Sequence, residues 1–301
     1  MTAKKGAIYF NRSSGTAFDE KISQLRARAV EEKLDMVALD EDVDVEADVR
    51  RRQKDGQRLF IAAGGDGTVQ TVIQPLVRTD SVFAVLPLGT FNHFATDIDM
   101  PEDWGECLEV AFGERVRQVD VGEVNRKFFM NSVSLGIYPK VMKERERLRP
   151  NHGKWMAYAL ALNAAVRRMP HLSMTLESPP HLEVLSTHMF FVSVSSYDLS
   201  EAGILAPRET LEAGRLGVYW LPHVGKWKFI RSLSLYLRGR AGDIDGFRRM
   251  NVPSLRINVP SKRRLRVGID GELYKLRAPL DIRVVTSGLQ VKVPRNVVDE
   301  R

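Results

Sequence analysis

FIAAGGDGTVQTVIQPL, residues 60–76, is the stretch that decides the fold prediction. An apolar run stops at two glycines, Asp66 and a third glycine, and apolar residues at helical spacing follow. A buried strand that turns into a helix is the repeating unit of a parallel α/β sheet. The glycines and the helix N-terminus also predict a phosphate cradle, in which Asp66 fits if Mg²⁺ lies beside it. The alternative is a tight turn with Asp66 as the helix cap.

The same alternation of strand and helix surrounds this stretch. Four apolar runs predict strands, and the segments between them have helical spacing. The predicted strands are 7–10, 36–39, 58–63 and 82–86, and the predicted helices are 18–33, 44–55 and the segment through 69–76. This order predicts a parallel sheet covered by helices.

After Arg117 the sequence changes to short alternating runs separated by turns. We predict that this half is mainly antiparallel and sandwich-like, with helices at 153–169 and 226–239. The run KFFMNSVSLGIY (127–138) is interpreted as a strand, and 280–286 and 289–294 as two further strands. The fold class is therefore an α/β domain (1–118) followed by a larger β-rich domain (119–301), whose last residues are expected to pack back on the first.

The composition indicates the cellular compartment and the charge of the binding partners. The net charge is +7, which favours anionic partners such as phosphorylated ligands or an acidic membrane surface. Cys107 is the single cysteine, so a disulfide framework is excluded and a reducing cytosol is expected. No secretory signal and no run of about 18 apolar residues is found, and we expect a cytoplasmic protein.

Two further loops resemble the glycine turn in composition. VFAVLPLGTFNHFATDI (82–98) runs from a strand through Pro87, Gly89 and Thr90 to Asn92, which opens a short helix. NRSSGTA (11–17) follows the first strand. Because loops at the carboxyl ends of parallel strands line the ligand crevice, these three loops are expected to form one site.

These residues resemble the diacylglycerol kinase catalytic-domain family, which includes soluble bacterial lipid kinases, sphingosine kinases and ceramide kinase. The resemblance rests on GGDGT (64–68), PLGTFN (87–92), NRSSG (11–15) and IDGE (269–272), in consistent order along the chain. It implies a nucleotide-binding first domain, a lipid-side second domain, and an active site in the cleft between them. It also implies transfer of the ATP γ-phosphoryl group, with Mg²⁺, to a lipid hydroxyl, with diacylglycerol as the default acceptor.

The resemblance assigns a role to each matching position. Glu272 is the implied general base, Asp66 serves the Mg²⁺–nucleotide or the reacting centre, and Asp270 is a structural or metal-side neighbour. The implied nucleotide-binding residues are Asn11, Ser14, Gly15, Gly64, Gly65, Gly67, Thr68, Gly89, Thr90 and Asn92.

Glu272 is also supported by chemistry alone, because phosphoryl transfer needs an acceptor for the nucleophile's proton and a carboxylate supplies one. The alternative for this segment is an Asp-Gly hairpin turn.

The chain also departs from the family pattern. Gln70 and Thr71 stand where many members have Asn and Glu, and His93 stands where Asp is usual. His93 and the missing Glu leave open a catalytically weakened nucleotide- or lipid-binding regulator. An NAD kinase-like small-molecule kinase is a second alternative, because the NAD kinase family shares GGDGT.

Basic clusters occur mainly in the second half, for example Lys262, Arg263, Arg264 and Arg266. Each cluster taken alone fits ordinary solvated surface, and together they could bind anionic lipid. We therefore expect peripheral contact with an anionic membrane, while a homodimer is left open. A nucleic-acid partner is not expected, because no recognised motif appears and the aromatics do not interleave with the basic runs.

Overall fold

The computed structural model describes residues 4–11, 16–40, 42–90, 92–169, 171–197, 208, 210–238, 240 and 243–295. The chain divides into two compact units. Residues up to Val121 and those from Thr286 onward form the first, and Gly122–Val285 form the second. In sequence, the second unit is thus an insertion within the first.

The first unit is built on a parallel sheet with strand order β2-β1-β3-β4-β15. Its elements are β1 Gly6–Phe10, α1 Thr16–Glu31, β2 Leu34–Ala38, α2 Val45–Lys54, β3 Leu59–Gly64, α3 Asp66–Ile73, β4 Val82–Pro87, α4 His93–Asp97, α5 Trp104–Phe112 and most of β5 Val116–Val124. Because β2 lies on one side of β1 and β3 on the other, the chain changes direction between β1 and β3. Ligands of open α/β sheets bind at such a switch point.

Helices cover both faces of this sheet. On one face, Leu25 of α1 and Cys107 of α5 pack against Ile8 and Ile61 of the central strands. On the other face, Tyr9 of β1 donates a hydrogen bond to Asp48 of α2 at 2.8 Å. Central strand residues such as Phe60 and Ile61 are fully buried. Each buried side chain of this size contributes roughly 1.5–3 kcal/mol, so the sheet holds the loops at its edge on a rigid base.

The second unit is β-rich. Its strands are β6 Lys127–Phe129, β7 Ser132–Gly136, β8 Leu172–Ser178, β9 His181–Val194, β10 Leu216–Pro222, β11 Arg248–Val252, β12 Ser254–Asn258, β13 Arg264–Ile269, β14 Glu272–Arg277 and β15 Leu280–Lys292, which ends in the first unit. The long strand β9 pairs with β8 through its first half and with β7 and β10 through its second half. Side chains from β7, β8, β10, β12 and β13 meet in one core, so the layers are sandwich-like.

Three helices accompany these strands: α6 Ile137–Leu148, α7 Lys154–Arg167 and α8 Lys226–Leu237. Ala161 and Ala165 of α7 pack with Ile137 and Val141 of α6 and with Phe229 of α8. Within the described ranges, no helix is both long and apolar enough to cross a bilayer.

The predicted fold class is confirmed, and most predicted elements agree with the structure to within a few residues. The single strand predicted over 127–138 is wrong, because the structure has two strands there, β6 and β7, separated by Met130 and Asn131, and neither reaches residue 138. Gly136 has φ +91 and stops β7, and α6 begins at Ile137. Pro139 is tolerated there because the first helical turn lacks internal N–H bonds.

The two strands predicted at 280–286 and 289–294 are one strand, β15. It is interrupted only by the positive φ of Ser287 (+49).

Candidate active site

The GGDGT segment ends β3 and starts α3. Gly65 caps the helix in an extended conformation, and Asp66 is the first helical residue. A Cβ atom on Gly64 would lie 2.3 Å from the Thr68 Oγ1 atom. Glycine is therefore needed here so that the strand end and the first helical turn can approach closely. The first turn of α3 directs its backbone N–H groups and its positive dipole end toward the switch point.

The PLGTFN segment lies directly against this turn. The N–H of Leu88 donates to the carbonyl of Gly64 at 3.1 Å. A Cβ atom on Gly89 would lie 2.4 Å from the Gly65 Cα atom, so the two loops touch backbone to backbone. The structure thus brings Gly64, Gly65 and Gly89 together, as the sequence predicted for neighbouring strand ends. Gly89 and Thr90 are exposed, and Gly67 is partly buried.

Asn92 shapes the second loop with its own side chain. It adopts the left-handed conformation, with φ 50 and ψ 43. Its Oδ1 atom accepts from the N–H of Gly89 at 3.0 Å, and its Nδ2 atom donates to the Gly89 carbonyl at 3.1 Å. Asn tolerates positive φ better than most residues and can bond its own loop in this way. In this structure the Asn92 amide therefore holds the loop, in addition to the nucleotide contact predicted for it.

Asp66 connects the two loops. The backbone N–H groups of Asn92, His93 and Phe94, at the start of α4, lie close enough to its carboxylate to favour the charged form. Burial raises the pKa of Asp66 above its usual range, and the His93 side chain and those N–H groups oppose the rise. The carboxylate is thus a cap, but for a helix in the neighbouring loop rather than for its own helix.

The metal role predicted for Asp66 depends on ligands from outside the chain. The described part of the chain contains no group of three or more His, Cys, Asp or Glu side chains that could hold an ion. Mg²⁺ is commonly bound by one or two carboxylates together with substrate phosphates. A single partly buried carboxylate beside a helix N-terminus fits that arrangement.

The first loop is described only at its start. Asn11 follows β1, next to β3 in the sheet, and is exposed. The predicted residues Ser14 and Gly15 lie outside the described residues. Of the two positions that depart from the family pattern, Gln70 is buried in α3. Thr71 is exposed and donates to the Gly67 carbonyl at 2.9 Å.

The IDGE segment forms the turn of the β13–β14 hairpin. Asp270 and Gly271 have φ values of +44 and +87, as in a type I′ turn, where Asp-Gly is favoured. The Asp270 carboxylate accepts the N–H groups of Met130, Asn131 and Ser132 at 2.7–2.9 Å. Burial raises the pKa of Asp270 to about 6, and these hydrogen bonds oppose the rise. This geometry favours the structural alternative for Asp270.

Glu272 is the first residue of β14, immediately after this turn. The residue is exposed, yet partial desolvation of its carboxylate raises its pKa. Glu146 of α6 adds to the rise and Arg145 opposes it. A carboxylate with a raised pKa is a better proton acceptor near neutral pH than an ordinary one.

Sequence reasoning missed the α6 neighbours of Glu272. The Arg145 guanidinium donates to the Tyr158 hydroxyl and lies 5.0 Å from that ring's centroid. The available clue was the spacing of Ile137, Val141 and Arg145, which is helical.

The fold and the paired loops define a class: an α/β phosphotransferase with glycine-rich loops at a sheet switch point. Residues 5–124 match the family model for the diacylglycerol kinase catalytic domain. The diacylglycerol kinase of Bacillus subtilis (strain 168) is 27% identical over 220 residues, which are 71% of each protein. A probable lipid kinase, YegS-like, of Pseudomonas aeruginosa is 28% identical over 259 residues, 84% of this chain and 82% of that protein.

Two solved crystal structures from Bacillus anthracis str. Sterne share the fold over 98% of this chain. One, described as a diacylglycerol kinase, has a TM-score of 0.71 at 16% identity and is covered over 98% of its length. The other has a TM-score of 0.75 at 18% identity and is covered over 99%. Over residues 5–124 the chain is thus similar to the diacylglycerol kinase catalytic-domain family, and the protein is a lipid kinase.

Proposed function

We propose that this lipid kinase transfers the γ-phosphoryl group of ATP, with Mg²⁺, to the hydroxyl of diacylglycerol. The observation that carries the proposal is the backbone contact between the Gly65 turn and the Gly89 loop. It supports one phosphate-binding surface, made from two strand ends and the start of α3. The relatives named as diacylglycerol kinases support the choice of acceptor.

Each residue has a defined part in the proposed reaction. Backbone N–H groups of Gly65 and Gly67 and the Thr68 hydroxyl bind the nucleotide phosphates, and Thr90, Asn92 and Asn11 contact the nucleotide. Asp66 would be the carboxylate partner of Mg²⁺, which would neutralise phosphate charge. The lipid oxygen attacks the γ-phosphorus and the bond from that phosphorus to the β-phosphate oxygen breaks, which releases ADP. Glu272 accepts the hydroxyl proton.

The proposal also covers location. A diacylglycerol acceptor lies in a bilayer, so the enzyme has to meet the membrane surface from the cytoplasm. The net charge of +7 supports attraction to an anionic leaflet.

Radiolabelled ATP and a lipid panel test this function. The panel contains diacylglycerol, sphingosine, ceramide and monoacylglycerol, each assayed with and without Mg²⁺. We expect label in phosphatidic acid only when Mg²⁺ is present, and a loss of about 10²–10⁴-fold in Glu272→Gln. Glu183→Gln, at an exposed position of β9, is the matched control and should retain full activity.

Other outcomes contradict the proposal. Labelled NADP from NAD would identify a small-molecule kinase. ATP binding without any labelled product would identify a nucleotide-binding regulator. Undiminished activity of Glu272→Gln would remove that residue from the reaction.

A further inference from the structure

The hairpin β13–β14 carries an unusual concentration of positive charge. Its segment from Lys262 to Arg277 contains six basic and two acidic residues. The strand register places Arg264 directly opposite Arg277 and Arg266 directly opposite Lys275. All four of these residues are exposed. Residues directly opposite each other have Cβ atoms about 5 Å apart, and like charges at that distance destabilise a hairpin.

No acidic side chain relieves this repulsion within the described part of the chain. Ion pairs form elsewhere, for example between Arg256 and Asp281 at 2.6 Å, but none involves these four residues. The alternate residues of the hairpin, such as Leu265 and Leu276, face the core. The two cationic pairs are therefore fixed on one outward face by the pleat of the strands.

A concave surface lies at the base of the same hairpin. A cavity of about 440 Å³ is lined by Lys262, Arg263, Arg264 and Arg277, together with Asn258 at the end of β12 and residues next to these positions. Lys262 also lies near enough to Lys140 to help lower the pKa of that ammonium, after desolvation and Arg168. The positive field thus extends from the hairpin face into a recess large enough for a phosphate headgroup.

We propose that this face of the β13–β14 hairpin is the surface by which the enzyme docks on anionic phospholipid bilayers, with headgroup phosphates neutralising the opposed cations. The inference rests on the proposed function, because the acceptor is then a membrane lipid. Glu272 begins the same strand, three residues before Lys275, a distance of about 10 Å along an extended strand. Because this spacing is odd, the Glu272 side chain lies on the opposite face of β14 from Lys275, so the docking surface and the proposed proton acceptor are on different faces of the hairpin.

A bilayer fits this surface better than a nucleic acid does. Single-stranded nucleic acids are bound through exposed aromatic rings beside the basic groove. The aromatic residue of this hairpin, Tyr274, packs against the core, and the ammonium of Lys127 lies 4.6 Å from its ring centroid. The outward-facing residues of the two strands carry charge and include no aromatic ring, and the half-exposed Tyr138 of α6 lies beside Gly268, toward the turn.

Vesicle co-sedimentation without ATP tests the docking surface. The probes are phosphatidylcholine vesicles with and without phosphatidylglycerol, at low and high salt. We expect binding only to the anionic vesicles, and weaker binding in high salt. Because a basic residue near such a surface contributes about fivefold in affinity, Arg266→Gln/Lys275→Gln should bind about 25-fold more weakly. Arg264→Gln/Arg277→Gln should lose a similar factor.

The matched control removes two charges from the other unit. Arg26→Gln/Lys54→Gln, at exposed positions of α1 and α2, changes the net charge equally and should alter vesicle affinity less than twofold. Thermal unfolding is the second readout. Since each hairpin double variant removes a pair of opposed like charges, its unfolding midpoint should be equal to or above that of the wild type.

Several results would overturn the inference. These are unchanged vesicle affinity of both hairpin double variants, an equal loss in the control, or a single-stranded DNA affinity that matches the vesicle affinity and falls by the same factor in the hairpin variants. Failure of the proposed function is separable, because vesicle binding is measured without turnover. Arg266→Gln/Lys275→Gln should also keep its activity on diacylglycerol dispersed in neutral detergent micelles, and a loss there would place these residues in substrate turnover instead of docking.

Discussion

Two Asp-Gly pairs, one in each unit, have the same local chemistry in different settings. The N–H groups of Asn92, His93 and Phe94 favour the charged form of Asp66, and Asp270 accepts hydrogen bonds from the N–H groups of Met130, Asn131 and Ser132. Three consecutive N–H groups from another part of the same unit thus stabilise each carboxylate. Asp66 begins a helix, whereas Asp270 sits in a left-handed turn. The comparison teaches that an aspartate in a sequence motif can fix the backbone of a segment far from it in the chain.

The largest expected effect is the loss in the free energy of unfolding when the Asp270 carboxylate is removed. Asp270→Ala leaves three backbone N–H groups without their acceptor, and each unsatisfied buried group costs about 1–3 kcal/mol. Because an ionised Asp270 is itself costly to bury, we expect a net loss of about 3 kcal/mol in the free energy of unfolding. Urea unfolding at pH 7 measures it. A loss below about 1 kcal/mol would show that these hydrogen bonds do not anchor the turn.

Asp66→Asn separates the two roles of the first aspartate. The amide oxygen still accepts hydrogen bonds from the start of α4, so stability should fall by only about 1 kcal/mol. If the carboxylate serves Mg²⁺–ATP, kcat/KM should fall at least about 100-fold, equivalent to about 2.7 kcal/mol. The lipid kinase assay and urea unfolding are measured on the same preparation. Full activity would leave Asp66 with the structural role alone.

Gly89→Ala tests the backbone contact that joins the two loops in the first unit. The new Cβ atom would meet the Gly65 Cα atom at 2.4 Å, and relieving such overpacking costs about 1–3 kcal/mol. We expect about 2 kcal/mol of lost stability together with a raised KM for ATP. Gly153→Ala is the control, because a Cβ atom there meets nothing within 4 Å. Equal behaviour of the two variants would argue against a rigid loop contact.

The smallest expected effect is on the pH dependence of kcat/KM, through Glu272, which lies two residues after Asp270. Glu272 must be ionised to accept a proton, so activity falls as pH drops through its raised pKa. Glu146 contributes to that rise after desolvation. Glu146→Gln should therefore lower the pKa and move the acid limb of kcat/KM to lower pH, by less than one pH unit. A shift toward higher pH would contradict the proposed role of Glu272.

The first unit was the more predictable half, for a physical reason. Strands buried on both faces and helices with one apolar stripe leave strong periodic patterns, as in residues 60–76. The placement of the GGDGT and PLGTFN loops follows from the rule that parallel strands end at one edge. The partners of Asp66 and Asp270 could not be predicted in this way. The N–H groups on Asp270 come from residues about 140 positions earlier, and no local pattern encodes that contact.

Two features of the second unit could not be predicted from the sequence, for a related reason. The strand–helix junction at Gly136 depends on one positive φ, and the alternating residues before it favoured a strand through Tyr138. The opposed cations of the hairpin are also invisible in the linear sequence. Arg266 and Lys275 are nine positions apart and become neighbours only through the register that the Asp270–Gly271 turn sets.

The return of β15 to the first unit has a consequence for synthesis on the ribosome. Gln290 pairs with Val82 of β4, so a strand made early waits for a partner made more than 200 residues later. Until then β4 is an open edge, and an open edge strand is prone to pair with other chains. The first unit therefore completes its sheet only after the inserted unit has been translated, which makes late nascent chains the stage most in need of chaperone protection.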